Sequence, residues 1–482
     1  MEKLFDVIVI GAGVIGCAAA RELSRRRLHV CLLERGTDVA GGASGANSAI
    51  IHAGFDAMRG TLKASLNVRG NREFDTLSRE LDFPFERNGS LVLAFSEEDE
   101  SRLRELMERG EKNGVPGMRL LDAAQVRALE PHVSPRVTGA LLAPTGGITC
   151  PYEYTLALAE NACRNGVEFH FESPVTAIRR EKSGYIVTAA GREYSCRMVV
   201  NAAGIYADAI HNMISGQKVS IQARKGEYCL FDRAAGNLVC HTLFQTPTAM
   251  GKGILVTRTV DGNLLTGPTA VDVENKEDIA TTREGLATVL AGAARSVERL
   301  PMRQIITSFA GLRAHLGDDF VIGEAPDAPG FVDLMGIESP GLSASPAVAQ
   351  EAARLVDARL RPEKNSSFNP HRQGIPHFRH MSDDAREKLI ESDPAFGRIV
   401  CRCETVTEGE IVAAIRRPLG ARTMEGVKRR TRAGMGRCQS GFCTPRTMAI
   451  LARELGIDPT EITVAGPGSE LLTGRKGETD YD

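Results

Sequence analysis

The chain has 482 residues, too many for a single hydrophobic core, so two or three domains are expected. Its 59 Lys and Arg are balanced by 61 Asp and Glu, which excludes a strongly basic chain and argues against nucleic acid as a partner. No apolar stretch reaches the roughly 18 residues of a membrane span, and no signal peptide is recognised, so we expect a cytoplasmic protein for which only peripheral membrane association is open.

The first predicted elements are a strand, a helix and a second strand. Residues 5–10 form a continuous apolar run that is typical of a buried parallel strand. Residues 14–26 predict a helix with small Ala-rich packing positions, and residues 29–33 predict the second strand. This order is that of a βαβ unit in an α/β domain.

A glycine fingerprint joins the first strand to the helix. Gly11, Gly13 and Gly16 form G-x-G-x-x-G, and Glu34 follows the second strand, 21 residues after Gly13. In this context the glycines allow a tight turn, a close approach of a pyrophosphate and close packing of helix on strand. The acidic residue then accepts hydrogen bonds from a ribose. A glycine turn without a ligand is the alternative interpretation.

Two further segments favour FAD over NAD. A second glycine-rich loop, residues 41–45, follows Glu34 and Arg35 closely. Residues 198–204 predict a strand that ends in A-A-G, which is similar to the second FAD-contacting motif of glutathione-reductase-type flavoproteins.

The middle of the chain mixes alternating strands with helices. This mixture predicts an antiparallel-sheet substrate domain inserted into a Rossmann-like FAD-binding domain. The strands are predicted at residues 89–95, 185–189 and 253–257, and the helices at 97–113 and 154–165.

The expected domain boundaries follow from these patterns and from the composition near the C-terminus. We expect an oxidoreductase part in residues 1–360, with insertions at about 80–150 and 215–310. A proline-interrupted polar linker is expected at 361–396, a small helical domain at 397–456 and a frayed tail at 457–482.

Four Cys of the small helical domain form two close pairs. Cys401 and Cys403 form C-x-C, and Cys438 and Cys443 form C-x4-C after a gap of 34 residues. Thiolates select zinc, copper(I) or iron–sulfur clusters. C-x-C is tight for a structural zinc knuckle, so the spacing favours a [2Fe–2S] cluster with four Cys ligands, and zinc is the alternative.

The surroundings of these Cys and the other thiols complete the C-terminal pattern. Arg402, Lys428 and Arg437 are expected to add positive charge near the thiolates, which would raise the potential of a cluster. The remaining seven of the 11 Cys are scattered among apolar neighbours, which favours buried free thiols in a reducing compartment.

At residues 44–54 the sequence S-G-A-N-S-A-I-I-H-A-G resembles the flavin loop of the D-amino-acid-oxidase-like superfamily. Segments at 251–257, 262–270, 308–314 and 336–346 agree, and the closest resemblance is to the branch of FAD-dependent glycerol-3-phosphate dehydrogenases and oxidases and L-2-hydroxyglutarate dehydrogenases. Together with the fingerprint, the resemblance implies these FAD-binding residues: Gly11, Gly13, Gly16, Glu34, Arg35, Ser44, Asn47, Ser48, Ala203, Gly204, Gly341, Leu342 and Ser343.

The quartet with G-R-C-Q-S-G-F-C, residues 436–443, resembles the bacterioferritin-associated-ferredoxin-like [2Fe–2S] domain. That domain is appended to some glycerol-3-phosphate dehydrogenases of the anaerobic type, so the two resemblances fit each other.

The resemblance also implies the residues that perform the chemistry. His52 would face the flavin as a general base, because an imidazole titrates near neutral pH; a core His is the alternative. Arg313 would bind an anionic group, with an ion pair between two loops as the alternative. Lys252 would be a second anion ligand or a solvated Lys. Arg258 stands where hydroxyglutarate members more often carry Arg, which leaves phosphate or carboxylate open.

The predicted function is oxidation of sn-glycerol 3-phosphate to dihydroxyacetone phosphate by FAD, with electrons passed through the cluster to a second flavoprotein or a quinone-linked subunit. The alternatives are a dehydrogenase of L-2-hydroxyglutarate or another 2-hydroxy acid, a non-catalytic electron-transfer subunit, and an oxidase that keeps the cluster as a structural clip. No Cys occurs between Cys240 and Cys401, so we expect FAD to be bound without a Cys link.

Overall fold

The computed structural model describes residues 4–247 and 253–474. The chain divides into two compact units, one made of Met1–Leu33 with Ala40–Arg372 and the other of Glu34–Val39 with Gln373–Asp482. Among the described residues, no helix is both long and apolar enough to cross a membrane.

The strands of the first unit belong to three sheets. They are β1 (Leu4–Ile10), β2 (Val30–Leu33), β3 (Ile50–Ile51), β4 (Phe85–Glu86), β5 (Ser90–Ala94), β6 (Arg119–Asp122), β7 (Gly139–Ala143), β8 (Gly147–Thr149), β9 (Glu168–His170), β10 (Val175–Glu181), β11 (Gly184–Ala189), β12 (Arg192–Asn201), β13 (Gln222–Phe231), β14 (Thr242–Gln245), β15 (Leu255–Arg258), β16 (Leu264–Gly267), β17 (Val271–Val273), β18 (Ile305–His315), β19 (Val321–Ala325) and β20 (Ala328–Met335).

The helices of the first unit connect and cover these sheets. They are α1 (Val14–Leu23), α2 (Leu62–Leu81), α3 (Glu97–Asn113), α4 (Ala123–Leu129), α5 (Pro151–Arg164), α6 (Ala207–Ile214), α7 (Arg283–Ser296) and α8 (Gly341–Leu360).

An eight-stranded sheet forms the dinucleotide-binding part. Its order is β10-β11-β12-β1-β2-β9, with β20 added to β12 and β19 to β20. Strand β1 is parallel to both β2 and β12, and β12 is parallel to β20, so the carboxyl ends of these four strands meet at one edge. Ligands of open α/β sheets bind at this edge.

A nine-stranded sheet forms the inserted part. Its order is β17-β13-β16-β15-β14-β5-β7-β6, and β18 pairs with β13. All neighbours are antiparallel except β14 and β5, which are parallel. A buried apolar cluster that includes Leu91, Phe231 and Val256 packs this sheet against α7 and α4. The predicted α/β fold with an inserted, largely antiparallel sheet is therefore confirmed.

The second unit is small and mainly helical. It contains β21 (Ile399–Cys401), β22 (Val406–Thr407), α9 (Asp383–Ser392), α10 (Glu408–Arg416), α11 (Met424–Thr431) and α12 (Thr444–Leu455). Its core includes Ile411, Val427 and Leu451. Within the stretch predicted as a linker, residues 361–372 pack on the first unit, where Arg372 pairs with the buried Glu160 at 2.6 Å.

Candidate active site and thiolate centre

The glycine turn joins β1 to α1 with little room for side chains. A Cβ added to Gly16 would lie 1.9 Å from the carbonyl oxygen of Gly11, so only glycine lets the helix begin this close to the strand. Gly11 has φ +104°, and its own Cβ would lie 2.6 Å from the carbonyl oxygen of Ala202. The turn therefore has the backbone geometry that the fingerprint predicts.

The loop predicted to contact the flavin, residues 44–54, is fixed by its own polar side chains. The backbone N–H of Val14 donates to Ser44 Oγ at 2.8 Å, which ties the loop to the start of α1. Asn47 donates through Nδ2 to the carbonyl oxygen of Ala43 at 3.0 Å, and its Oδ1 accepts from the N–H of Ala49 at 2.8 Å.

The carboxyl ends of β12 and β20 are held by a buried polar network. Asn201 donates to Asp333 Oδ1 at 2.9 Å, and Nδ1 of His211 lies 2.7 Å from Asp333 Oδ2. Burial raises the pKa of Asp333. This network fixes the strand end from which Ala203 and Gly204 follow.

The turns at this edge leave space for a ligand. A Cβ added to Gly41, Gly42 or Gly204 would meet no protein atom within 4 Å. This open space, beside a glycine turn at the beginning of α1, fits a dinucleotide with its pyrophosphate near the helix N-terminus.

His52 lies beside the beginning of α8, where Gly341, Leu342 and Ser343 were predicted to contact FAD. The backbone N–H of His52 donates to Ser343 Oγ at 2.7 Å. Its Nε2 lies 3.3 Å from Ser339 Oγ, and its ring centroid is 5.8 Å from that of Phe244 on β14. The backbone of His52 is thus held by a side chain from α8, and its imidazole lies beside a hydroxyl that precedes α8 and an aromatic ring of the inserted sheet.

Arg313 lies on the face of β18 that passes the flavin loop. A Cβ added to Gly311, two residues earlier on the strand, would lie 1.9 Å from the carbonyl oxygen of Ala46. Because side chains two residues apart in a strand share a face, Arg313 points to the same side as this loop. Arg313 Nη2 donates to the carbonyl oxygen of Thr269 at 2.6 Å.

Tyr228 was missed by the sequence reasoning and lies next to these groups. Its ring stacks on Phe309 with centroids 4.8 Å apart, and its hydroxyl lies 3.2 Å from Ser48 Oγ. Burial raises the pKa of Tyr228, so this phenol stays protonated at neutral pH. An aromatic residue in a strand gives no signal that separates this position from ordinary core.

The other two predicted anion ligands are placed differently. Arg258, at the end of β15, forms an ion pair with Glu86 of β4, so its charge is balanced within the fold. Lys252 lies outside the described residues. The role of Arg258 as a carboxylate ligand stays a prediction.

Glu34 and Arg35 directly follow β2 and belong to the second unit. Glu34 Oε1 accepts from the N–H of Gly36 at 2.7 Å, while Arg35 is exposed. In the same unit Asp38 pairs with Arg430 through both carboxylate oxygens. These bonds hold the segment in a fixed turn.

The four Cys of the second unit come together as two thiol pairs. A hydrogen bond from Cys443 lowers the pKa of Cys401 to about 6, and the same bond raises the pKa of Cys443. Burial raises the pKa of Cys403, with a further contribution from its hydrogen bond to Cys438. The two loops approach closely because Gly436 has no side chain: a Cβ there would lie 2.2 Å from Cys403 Cβ.

The arrangement of the four thiols fits the ligand set of a two-iron cluster. Structural zinc needs four ligands around one centre, whereas a [2Fe–2S] cluster needs two thiolates on each of two irons. The pairs Cys401 with Cys443 and Cys403 with Cys438 match the second requirement.

The sequence did not predict the buried ion pairs beside the thiols. Glu404 is buried and accepts from Arg379 Nη1 at 2.6 Å and from Arg432 Nε at 2.9 Å. Arg402 and Arg437, which were predicted to add positive charge near the thiolates, are exposed, and Lys428 pairs with Glu425 at 2.9 Å. The contribution of Arg379 was not predictable, because it comes from the segment interpreted as a linker.

Family models match both parts of the chain. The model "FAD dependent oxidoreductase" matches residues 6–355, and "BFD-like [2Fe-2S] binding domain" matches residues 399–453. The chain belongs to the FAD-dependent oxidoreductase family. FAD and a [2Fe–2S] cluster are its cofactors, and both predicted resemblances are confirmed.

Several known proteins are similar in sequence to most of the chain. "Glycerol 3-phosphate dehydrogenase" of Caloramator mitchellensis is 51% identical over 98% of both chains. "Glycerol 3-phosphate oxidase" of Mycoplasma genitalium is 32% identical over 76% of this chain and 98% of its own. Among solved structures, FAD-bound L-alpha-glycerophosphate oxidase of Mycoplasma pneumoniae is 31% identical, with a TM-score of 0.73 over 77% of this chain and 98% of its own.

We expect acid precipitation to release all of the flavin as FAD. Neither the flavin loop nor the start of α8 carries a Cys that could form a covalent link. The measurement is the absorbance of supernatant and pellet after precipitation, followed by chromatography of the released nucleotide. Yellow colour retained in the pellet would contradict this expectation.

Proposed function

We propose that the protein oxidises sn-glycerol 3-phosphate to dihydroxyacetone phosphate and delivers the electrons singly, through the thiolate centre, to another protein. The observation that carries the proposal is that β18 brings Arg313 to the same side as the flavin loop, the loop that also presents His52. A base and an anion-binding group on one side of the expected flavin are what an anionic secondary alcohol requires. The relative that aligns with 98% of the chain bears the name of this activity.

The proposed role of His52 is to take the hydroxyl proton of the substrate. Bound FAD would supply the acceptor for a hydride from the carbon that bears this hydroxyl, and loss of the proton and the hydride together turns the alcohol into a ketone. The contacts of His52 with Ser339 Oγ and Phe244 hold the ring in one orientation. An imidazole that is already held in one orientation can act as a base without a further loss of side-chain entropy when the substrate binds.

The proposed role of Arg313 is to bind the phosphate. A guanidinium has five N–H donors in a planar fork, of which the bond to Thr269 uses one. That bond fixes the plane, so the remaining donors keep one direction toward the substrate. Lys252 is proposed as a second phosphate ligand on the basis of the family resemblance.

A substrate that carries a carboxylate instead of a phosphate is the second candidate. Arg258 was the residue that favoured it, and its ion pair with Glu86 weakens that argument. Flavin bleaching under anaerobic conditions distinguishes the two. Glycerol 3-phosphate should bleach the flavin, and L-2-hydroxyglutarate at the same concentration should not. Selective bleaching by the hydroxy acid would overturn the proposal.

Replacement of Arg313 by Ala should raise the KM for glycerol 3-phosphate by about 10- to 100-fold, the range for loss of a charge-assisted hydrogen bond, with a smaller change in kcat. Arg224→Ala is the matched control, because Arg224 lies opposite Arg313 in the β13–β18 pair and is bound to Asp272 at 2.7 Å. Steady-state kinetics with an artificial dye acceptor measure both parameters. An unchanged KM in Arg313→Ala would mean that this Arg only joins two loops.

The oxidase alternative is tested by the fate of the electrons in air. A dehydrogenase should form little hydrogen peroxide per molecule of substrate consumed. A peroxide yield close to one per turnover would show that O₂ is the acceptor and that the cluster is not on the electron path.

A further inference from the structure

Phe442 lies between two of the four cluster Cys and is exposed to solvent. Its side chain is 85% exposed, compared with 64% for Ile279, the next most exposed large apolar residue among those described. Burying a Phe side chain is worth about 1.5–3 kcal/mol, so this exposure brings the isolated fold no benefit. Aromatic side chains are enriched at protein–protein interfaces.

The segment that carries Phe442, residues 437–446, is a loop followed by the first turn of α12 and is fixed rather than loose; we name it the exit loop. Gln439 and Ser440 have φ of +46° and +73°, which are unusual for residues other than glycine. Thr444 Oγ1 donates to the carbonyl oxygen of Ser440 at 2.7 Å, and the N–H of Gly441 donates to the carbonyl oxygen of Cys438 at 3.1 Å. Strained backbone held by hydrogen bonds is typical of functional sites.

The exit loop lies in a stretch that is rich in Lys and Arg. Residues 397–456 contain twelve Lys and Arg and five Glu, a formal charge of +7, whereas the second unit as a whole, residues 34–39 with 373–482, has 18 Lys and Arg against 18 Asp and Glu. Exposed Arg437 and Arg446 lie within the exit loop. Exposed Arg402 lies between the first two cluster Cys. It is next to the exit loop, because Gly436, which directly precedes that loop, is so close to Cys403 that an added Cβ would lie 2.2 Å from Cys403 Cβ.

The acidic residues of this stretch all interact with other groups of the second unit. All five form ion pairs or accept hydrogen bonds within the second unit, and Glu404 and Glu410 are buried. The partners are Arg379 and Arg432 for Glu404, Arg398 and Arg453 for Glu408, Thr407 for Glu410, Lys428 for Glu425, and Arg416 and Arg453 for Glu454.

From these observations we infer that the exit loop is the docking surface for an electron-accepting protein with an acidic face around an apolar centre. Phe442 is the apolar contact, and Arg402, Arg437 and Arg446 are the charged rim. Complementary charge steers encounter and register, while a central aromatic residue supplies affinity. Transfer of one electron from the cluster to the acceptor breaks no bond and moves no obligatory proton, so close approach at this loop is the only structural requirement. The inference rests on the proposed electron path.

The test uses the full-length holoprotein and two redox-inactive probes of opposite charge. The probes are the acidic soluble domain of a b-type cytochrome and the basic c-type cytochrome, each with zinc porphyrin in place of haem, and binding is followed by porphyrin fluorescence. We expect the acidic probe to bind and the basic probe not to bind under the same conditions. Phe442→Ala and Arg437→Glu should each raise the Kd of the acidic probe about 10-fold or more. Added salt should weaken binding.

Two control variants separate a local surface from general effects. Ile279→Ala removes another exposed apolar side chain, and Arg192→Glu makes the same change of charge on an exposed position of the first unit. Both should leave the Kd unchanged. All variants should keep their iron content, and glycerol 3-phosphate should still bleach their flavin. If the flavin of the unaltered protein is not bleached, the proposed function fails, whatever the outcome of the docking experiment.

Unchanged binding of the acidic probe in Phe442→Ala would overturn the inference. It would also be overturned if both probes bound equally well, because charge would then not select the partner. A third measurement uses vesicles that contain anionic lipid. If Phe442→Ala lost vesicle binding but retained the acidic cytochrome, the exit loop would be a membrane contact and not a protein-docking surface.

Discussion

Replacing His52 by Ala should lower the rate of flavin reduction by glycerol 3-phosphate by about two to four orders of magnitude, the range expected for loss of a general base. The flavin content should stay near normal. The reason is that the backbone N–H of His52, which the substitution keeps, makes the 2.7 Å bond to Ser343 at the start of α8. Stopped-flow absorbance under anaerobic conditions measures the rate directly.

The control for this variant is His29→Ala, which removes an exposed His of the same unit. Glycerol 3-phosphate should reduce the flavin of this variant at the same rate as in the unaltered protein. If the flavin of His52→Ala were also reduced at this rate, His52 would be a packing residue against Phe244, and the assigned role as base would be wrong.

Replacing Cys438 by Ser should remove the iron or make the cluster labile, because one iron would lose one of its two thiolates. Electron transfer to a protein acceptor should then be abolished. Bleaching of the flavin by the substrate should persist, since the flavin loop and Arg313 belong to the first unit. Iron and acid-labile sulfide are measured after anaerobic purification, together with reduction of a protein acceptor.

Cys240→Ser is the matched control, because Cys240 is an exposed thiol of the first unit and has no part in the quartet. It should retain iron, sulfide and transfer to the acceptor. Four-Cys zinc in the unaltered protein, without iron or sulfide, would contradict the electron-relay interpretation and leave only a structural clip.

Elements with a strong local pattern could be predicted from the sequence. Helix α3, Glu97–Asn113, has the predicted bounds, because Ser96 accepts from the N–H of Asp99 at its start and Gly114 ends it with φ +82°. Helix α1 ends at Leu23, three residues before its predicted end. There, Arg26 turns back to form ion pairs with Glu22 and Asp357.

Features that depend on contacts between distant residues could not be predicted. Arg258 and Glu86 are separated by 172 positions, so a pattern around Arg258 gives no sign that its charge is balanced. The buried pair of Arg379 with Glu404 joins a proline-rich stretch to the thiolate loop in the same way. The spacing of the four Cys and the motif resemblance around His52 carry spatial information that local periodicity lacks, and the roles of these residues stay predictions.

The central claim is that substrate electrons reach both cofactors of one chain. An anaerobic titration with glycerol 3-phosphate, followed by absorbance for the flavin and electron paramagnetic resonance for the cluster, tests it most directly. Because FAD holds two electrons and a [2Fe–2S] cluster holds one, full reduction should need about 1.5 equivalents of substrate per chain. The account predicts bleaching of the flavin together with the signal of a reduced cluster. An end point at about one equivalent, with a bleached flavin and no cluster signal, would contradict it.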